Sequence, residues 1–259
     1  MSVIGTVDSL WRYPVKSMRG EELGEVFLGF AGVYGDRVFA IQSSAAPKGF
    51  PYLTAREQRK MLQYRPRFRN AAKAARPVNL AEAESLAPGA TPVYADDADL
   101  MVDVETPAAA TLAIDDPALL GELQVGKGDL ALLRSERALT DCRPVSLISL
   151  QTVRQLGDET GKAIDHRAFR ANIYLNLDGK GFAEDDLVGR SIQIGAKARV
   201  SILELDPRCV MITLDPDTGE SRPEVLKQVA KGHNGKAGVY GAVLVEGVVR
   251  KGDEIQLLS

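Results

Sequence analysis

Apolar residues in the first hundred positions recur in short bursts, not at helical spacing. Glu25–Leu28 and Val38–Ile41 are β-prone runs, and glycines at 20, 24, 29, 32 and 35 break the pattern into turns, so this stretch, from Ile4 to Val102, reads as several strands. Ala71 to Gly89 is rich in Ala and Glu between Pro77 and Pro88, which predicts a short helix or a surface loop. Small residues and prolines around Leu112 put a domain boundary between about 115 and 130, giving 1–122 and 123–259. Beyond it, Val145 to Leu156 reads as a strand running into a helix that ends at Gly157. Ile173–Leu175, Ser191–Ile194, Ala198–Leu203, Val210–Leu214, Tyr240–Val245 and Val248–Leu258 read as further strands. Many short strands with few helices predict a mainly β chain with some helix (α+β), built as two β-barrel-like domains, because closure removes exposed edges.

Composition changes this picture little. At 259 residues, 45% hydrophobic and 26% charged, the chain has material for a buried core and is long for one domain. A net charge of −3 offers no global positive field for nucleic acid or an anionic membrane, so any anion site must be local. Two cysteines, Cys142 and Cys209, are too few for a disulfide framework, an iron–sulfur cluster or an all-cysteine zinc site. Met1 to Val15 has no targeting pattern, and no apolar stretch approaches the roughly 18 residues of a membrane helix. The expected location is the cytoplasm.

Candidate chemistry gathers at Pro207-Arg208-Cys209. The guanidinium beside the cysteine favours a thiolate, which ligates soft metals or attacks electrophiles, although a lone cysteine is as often inert and buried. The following Asp215-Pro216-Asp217-Thr218-Gly219 begins like a calcium loop but has no Glu at the loop's twelfth position, so a tight turn is expected. His166 and His233 lack metal-ligand spacing and read as structural or exposed. No nucleophile, base and orienter set assembles from the motifs, so a hydrolase has no support.

Several of these segments together resemble the MOSC superfamily, named for the C-terminal domain of molybdenum-cofactor sulfurase, preceded by that superfamily's N-terminal β-barrel partner. In the C-terminal half the resemblance rests on Phe169-Arg170-Ala171-Asn172-Ile173, Phe182-Ala183-Glu184-Asp185, Pro207-Arg208-Cys209 with the Asp215–Gly219 segment, and Gly247 with Gly252-Asp253. In the N-terminal half it rests on Tyr13-Pro14-Val15-Lys16-Ser17, Gly35-Asp36-Arg37 and Leu53-Thr54-Ala55-Arg56. The resemblance implies a MOSC barrel in the C-terminal half and a molybdenum-pyranopterin (molybdopterin) cofactor. Cys209 stands where amidoxime-reducing relatives carry the metal-binding sulfur, a soft ligand suited to that metal. Lys16, Ser17 and Arg37 match the cofactor's phosphate pocket, where cationic and hydroxyl donors are needed. Arg170, Asn172 and Arg208 match positions against the pterin, and Thr140-Asp141-Cys142 aligns with a loop that also touches it.

Cys142 departs from the usual small hydroxyl residue and is either a second thiol near the site or a buried substitute. Asp206 stands where relatives often carry another cysteine. The implied activity is reduction of hydroxylamines, amidoximes or N-hydroxylated bases. With two cysteines and no Gly-x-Gly-x-x-Gly fingerprint, electrons must come from an external redox protein: a ferredoxin, a cytochrome b5-like protein or a flavin reductase. A carrier of the cofactor, or of sulfur as a Cys209 persulfide, is the alternative. A barrel that has lost its cofactor and serves only to bind is a third.

Overall fold

A computed structural model of the chain describes residues 2–85, 96–124, 126 and 128–258. The strand signals of the first half become β1 (Ser2–Arg12), β2 (Glu21–Leu23), β3 (Glu25–Gly29), β4 (Gly32–Val33), β5 (Phe39–Ser43), β6 (Tyr52–Leu53) and β7 (Arg65–Phe68). Helix α1 (Leu80–Ser85), β8 (Val102–Glu105), β9 (Thr111–Ala113) and α2 (Pro117–Leu123) follow. Next come β10 (Leu130–Arg134), β11 (Val145–Ser149), α3 (Leu150–Thr160), β12 (Ile173–Leu177) and β13 (Ser191–Ile194). The chain closes with β14 (Ala198–Pro207), α4 (Pro223–Gly232), β15 (Lys236–Val245), β16 (Gly247–Arg250) and β17 (Glu254–Leu257).

The order β12-β11-β15-β14-β13-β17-β1 returns to β12, so seven strands close a barrel, with β2 attached to β1 outside the ring. The first strand of the chain therefore completes a barrel made otherwise by its last hundred or so residues. β11 and β12 are the parallel pair, and α3 supplies the crossover that a parallel connection requires. Inside the ring, Val7 and Leu10 of β1 pack with Leu147, Ile173, Val200, Val239 and Ile255. A second core, including Phe39, Ile41, Met61, Val102, Val104, Leu119 and Leu123, is walled by the sheets β10-β5-β6 and β7-β8-β9. Strand alternation joins the two, because Phe27 of β3 faces the second core while its neighbours Val26 and Leu28 face the first. Outside the barrel, α3 and α4 bury Val153, Leu156, Val225 and Val229 against Ile148 and Tyr174.

Three local expectations change. α3 runs past Gly157 to Thr160 and stops at Gly161 in the left-handed conformation (φ 67°), whose N–H caps Asp158 and Gly157 carbonyls. Val210–Thr213 is a 3-10 helix and not a strand: β14 ends at Pro207, and the Thr213 hydroxyl donates to the Val210 carbonyl (2.7 Å), closing the turn. The last predicted strand is two, β16 and β17, separated by the turn at Lys251-Gly252-Asp253. Of the Ala71–Gly89 stretch, residues 80–85 are the expected short helix and 86–89 lie outside the described residues. Among the described residues no helix is long and apolar enough to cross a membrane.

Candidate functional site

A cavity of about 380 Å³ opens where the end of β1, the 135–144 connection, the residues before β12 and the end of β14 meet. All ten residues singled out by sequence line it: Lys16, Ser17, Arg37, Thr140, Asp141, Cys142, Arg170, Asn172, Arg208 and Cys209.

The Tyr13–Ser17 segment is held against Gly35-Asp36-Arg37 by backbone and side chain together. Tyr13 N–H donates to Asp36 Oδ1 (2.8 Å), and Arg37 N–H donates to the Tyr13 carbonyl (2.6 Å). Lys16 N–H reaches the Phe39 carbonyl (2.8 Å). The Tyr13 ring is a platform: the guanidinium carbons of Arg37 and Arg170 lie 4.7 Å and 4.3 Å from its centroid. Arg37 is paired to Asp36 and donates to the Arg170 carbonyl (3.1 Å), while Arg170 donates to the Met18 carbonyl (2.8 Å). Ser17, Arg37 and Arg170 all hold left-handed backbone (φ 66°, 47° and 53°), a conformation that costs a non-glycine residue and that clusters where a site demands it.

The electrostatics are those of cations crowded away from water. Burial pulls Arg170 down to about 10, with the Arg37 charge adding to it and Tyr13 opposing it. Burial likewise lowers Lys16, against the pull of Asp141. The Lys16 ammonium lies 4.8 Å from the Tyr52 ring centroid and donates to the Leu139 carbonyl (2.8 Å) and to Asp141. Although burial alone would raise Asp141, Lys16 and then Arg56 hold its carboxyl below the usual range.

Cys209 follows the end of β14 and precedes the Val210–Thr213 turn; its thiol is half-buried in the cavity wall. Arg56 Nη2 sits 3.5 Å from its Sγ and 2.7 Å from Asp141 Oδ2. Arg208 turns away from the cysteine into a buried cradle, donating to the Ala237 (2.7 Å) and Phe169 (2.9 Å) carbonyls. Its Nη2 lies 2.9 Å from Asp206, which is 2% exposed, as an ion pair without hydrogen-bond alignment. Burial raises the Asp206 carboxyl, against the Arg208 charge and the Ser146 and Tyr240 hydroxyls. The Asn172 amide accepts from Ser146 N–H and donates to the Trp11 carbonyl, both at 3.3 Å, so it ties β1 to β11 beside the cavity. Cys142 is exposed, not buried, with Sγ 3.4 Å from Glu204.

Sequence reasoning did not assign Arg56, Ser146 or Tyr240 to the site, though each lines the cavity. Arg56 had a signal in the Leu53–Arg56 motif: Thr54 N–H and hydroxyl both donate to Glu57 (3.0 and 2.7 Å), folding the turn that turns Arg56 inward. The Asp215–Gly219 segment is the expected turn, with Asp215 Oδ1 accepting from the backbone N–H of Asp217 and Thr218. Its carboxylates are spent on arginines, Asp215 on Arg222 and Asp217 on Arg19 and Arg167. His166 packs edge-on against Trp11 and Tyr174; His233 stacks on Phe182 and meets Glu159 at 2.7 Å, so both are structural. Among the described residues no three His, Cys, Asp or Glu side chains converge as a metal group.

The MOSC domain family matches residues 134–256, and the MOSC N-terminal beta barrel domain family matches residues 4–113. No curated protein matches the chain. Among solved structures the YUAD protein from Bacillus subtilis is similar at 13% identity and TM-score 0.49, covering 98% of this chain and 94% of that one. YiiM from Geobacillus stearothermophilus is similar at 23% identity and TM-score 0.36, covering 45% of this chain and 55% of that one. For YiiM from Escherichia coli the values are 16% and 0.35, over the same shares.

Proposed function

The chain belongs to the MOSC family, with the family's N-terminal β-barrel domain ahead of its MOSC domain, and we propose that it is a molybdenum-cofactor oxidoreductase that reduces N-hydroxylated compounds. The observation that supports this most is the charge of the cavity: Lys16, Arg37, Arg56, Arg143, Arg170 and Arg208 line it against Asp141 and Asp206, in a chain of net charge −3. Burying like charges together is unfavourable unless an anion joins them. A phosphate-bearing pterin supplies that anion, and Cys209 supplies a soft sulfur to its metal from the same cavity. The donor set therefore fits the group.

In this reading Lys16, Ser17 and Arg37 hold the phosphate; Arg170, Asn172, Arg208 and the Thr140-Asp141-Cys142 loop surround the pterin, and Cys209 is the metal ligand. When bound, the cofactor supplies a two-electron redox centre at which the N–O bond is broken. The protein's share is to orient the substrate beside Cys209 and to deliver protons, since conversion of a hydroxylamine to an amine and water consumes two electrons and two protons. Asp206 suits the proton-holding role better than Asp141, because burial raises the former while Lys16 and Arg56 lower the latter. The electrons come from an external ferredoxin, cytochrome b5-like protein or flavin reductase. The half-buried Cys209 thiol beside Arg56 also suits a persulfide, which keeps a sulfur or cofactor carrier as the second reading.

The test is turnover. Cofactor-loaded protein given reduced viologen as donor is expected to reduce a hydroxylamine, an amidoxime or an N-hydroxylated base, and Cys209→Ala to do none of these. Loaded wild-type protein inactive on all three classes would contradict the reductase and favour the carrier.

A further inference from the structure

The anion subsite already has an occupant from the chain itself. One carboxylate oxygen of Asp141 accepts from Lys16 and the other from Arg56, at 2.7 Å, so the two cations grip one carboxylate from two sides. A phosphate monoester presents a pair of oxygens at nearly the same spacing. We propose that Asp141 is a built-in competitor that fills a Lys16–Arg56 anion clasp and must swing out when a phosphate-type anion binds. The proposal rests on the reading of Lys16 as a phosphate-binding residue, and it adds Arg56 as the second arm.

Three observations carry it. Lys16 is 4% exposed, so its ammonium depends on a protein partner in place of water, and Asp141 is the anion that supplies one. An incoming dianion competes for the same N–H donors, because carboxylate and phosphate are held by the same charge-assisted bonds. Asp141 is also free to leave. It lies in the 135–144 connection, with its side chain 40% exposed, and the residues after it are held at their side chains, Cys142 and Arg143 both on Glu204 (3.4 and 2.6 Å). The backbone anchor sits upstream, where Leu139 N–H donates to the Arg37 carbonyl (3.0 Å), so residues 140–143 can move as a short flap. Arg56 also keeps a buried Nε–H without a hydrogen-bond partner.

The test uses the full chain prepared without cofactor and inorganic phosphate as the probe, so it does not depend on any redox activity. Calorimetric titration of wild type, Asp141→Asn and Asp141→Asn/Arg56→Met is paired with hydrogen exchange across 139–143. Removing the competitor is expected to tighten phosphate binding by about tenfold or more, equivalent to about 1.4 kcal/mol. Adding Arg56→Met should abolish that gain, and phosphate should raise exchange in the 139–143 segment of the wild type. Phosphate binding to Asp141→Asn that is equal to or weaker than wild type would overturn the proposal, as would phosphate binding to wild type with no change in exchange. Because Asp141→Asn takes the charge from the partner of a buried ammonium, some loss of stability is expected, so the comparison is made at a temperature where all three proteins keep the wild-type circular dichroism and unfold cooperatively. A chain that binds phosphate in this way yet reduces nothing would refute the reductase and leave the clasp standing.

Discussion

Replacing Arg208 by Met should be among the costliest single changes at the site. Asp206 is 2% exposed and its charged partner is the Arg208 guanidinium at 2.9 Å, so Arg208→Met strands a buried carboxylate. Removing one partner of a buried pair costs about 3–5 kcal/mol, and the Ala237 and Phe169 carbonyls also lose their donors. Asp206→Asn is milder, at about 1–2 kcal/mol, because the amide still accepts from the Ser146 hydroxyl and Arg208 keeps both carbonyls. With both charges removed, the double variant should be more stable than the two losses summed, by a coupling of about 2 kcal/mol. Urea unfolding of the four proteins at pH 7, with the slopes compared to verify equal exposed surface, gives the cycle. An Arg208→Met loss below about 1 kcal/mol, or a coupling within about 0.5 kcal/mol of zero, would refute the buried pair as the brace of this wall.

Gly5→Ala should destabilise by about 3 kcal/mol or more, because φ is +154° and the new Cβ would sit 2.8 Å from Leu177 Cα, with the Asn176 carbonyl still nearer. A thermal midpoint unchanged in that variant would mean β1 does not close the barrel as described. Asp185 predicts a pH dependence, since burial, followed by the charges of Glu184 and Asp186, pushes its carboxyl from 3.8 up to about 6. A raised folded value favours the protonated fold, so this contribution is complete below about pH 4 and lost as pH rises through 6. Urea midpoints from pH 4.5 to 7 should show wild type losing roughly 1–2 kcal/mol relative to Asp185→Asn, after allowance for solvent screening. Parallel curves would contradict it.

Legibility in the sequence followed the range of the interaction. Ser191–Ile194 is a strand with the expected bounds, because an alternating run between glycine-bearing turns encodes itself locally. Val210–Leu214 misled for the same reason: a β-branched run favours a strand, but after Pro207 no neighbour offers a ladder, and the segment turns instead. The closure of the barrel by β1 was not readable, since its register with β12 joins Gly5 to Leu177 across most of the chain. At the site, resemblance gathered residues that local pattern could not. Lys16 and Arg170 lie far apart in sequence, and each alone is an ordinary surface-type residue. Arg56 escaped although its motif was visible, because nothing in Leu-Thr-Ala-Arg says that the guanidinium reaches a cysteine 153 positions away. Asn172 shows the converse: its position in the cavity was legible, but its bonds to Trp11 and Ser146 belong to the fold.

If Cys209 is the protein ligand of a molybdenum ion carried by a pterin in this cavity, the metal should leave with the thiol. The direct measurement is metal and pterin content of wild type and Cys209→Ala, both purified from cells that make the cofactor, with mass spectrometry of Cys209 on the same samples. Molybdenum and pterin stoichiometric with the wild-type chain, and molybdenum lost in the variant, is the expected result. A wild-type chain free of molybdenum with a persulfide on Cys209, or a variant that keeps the full metal content, would contradict it.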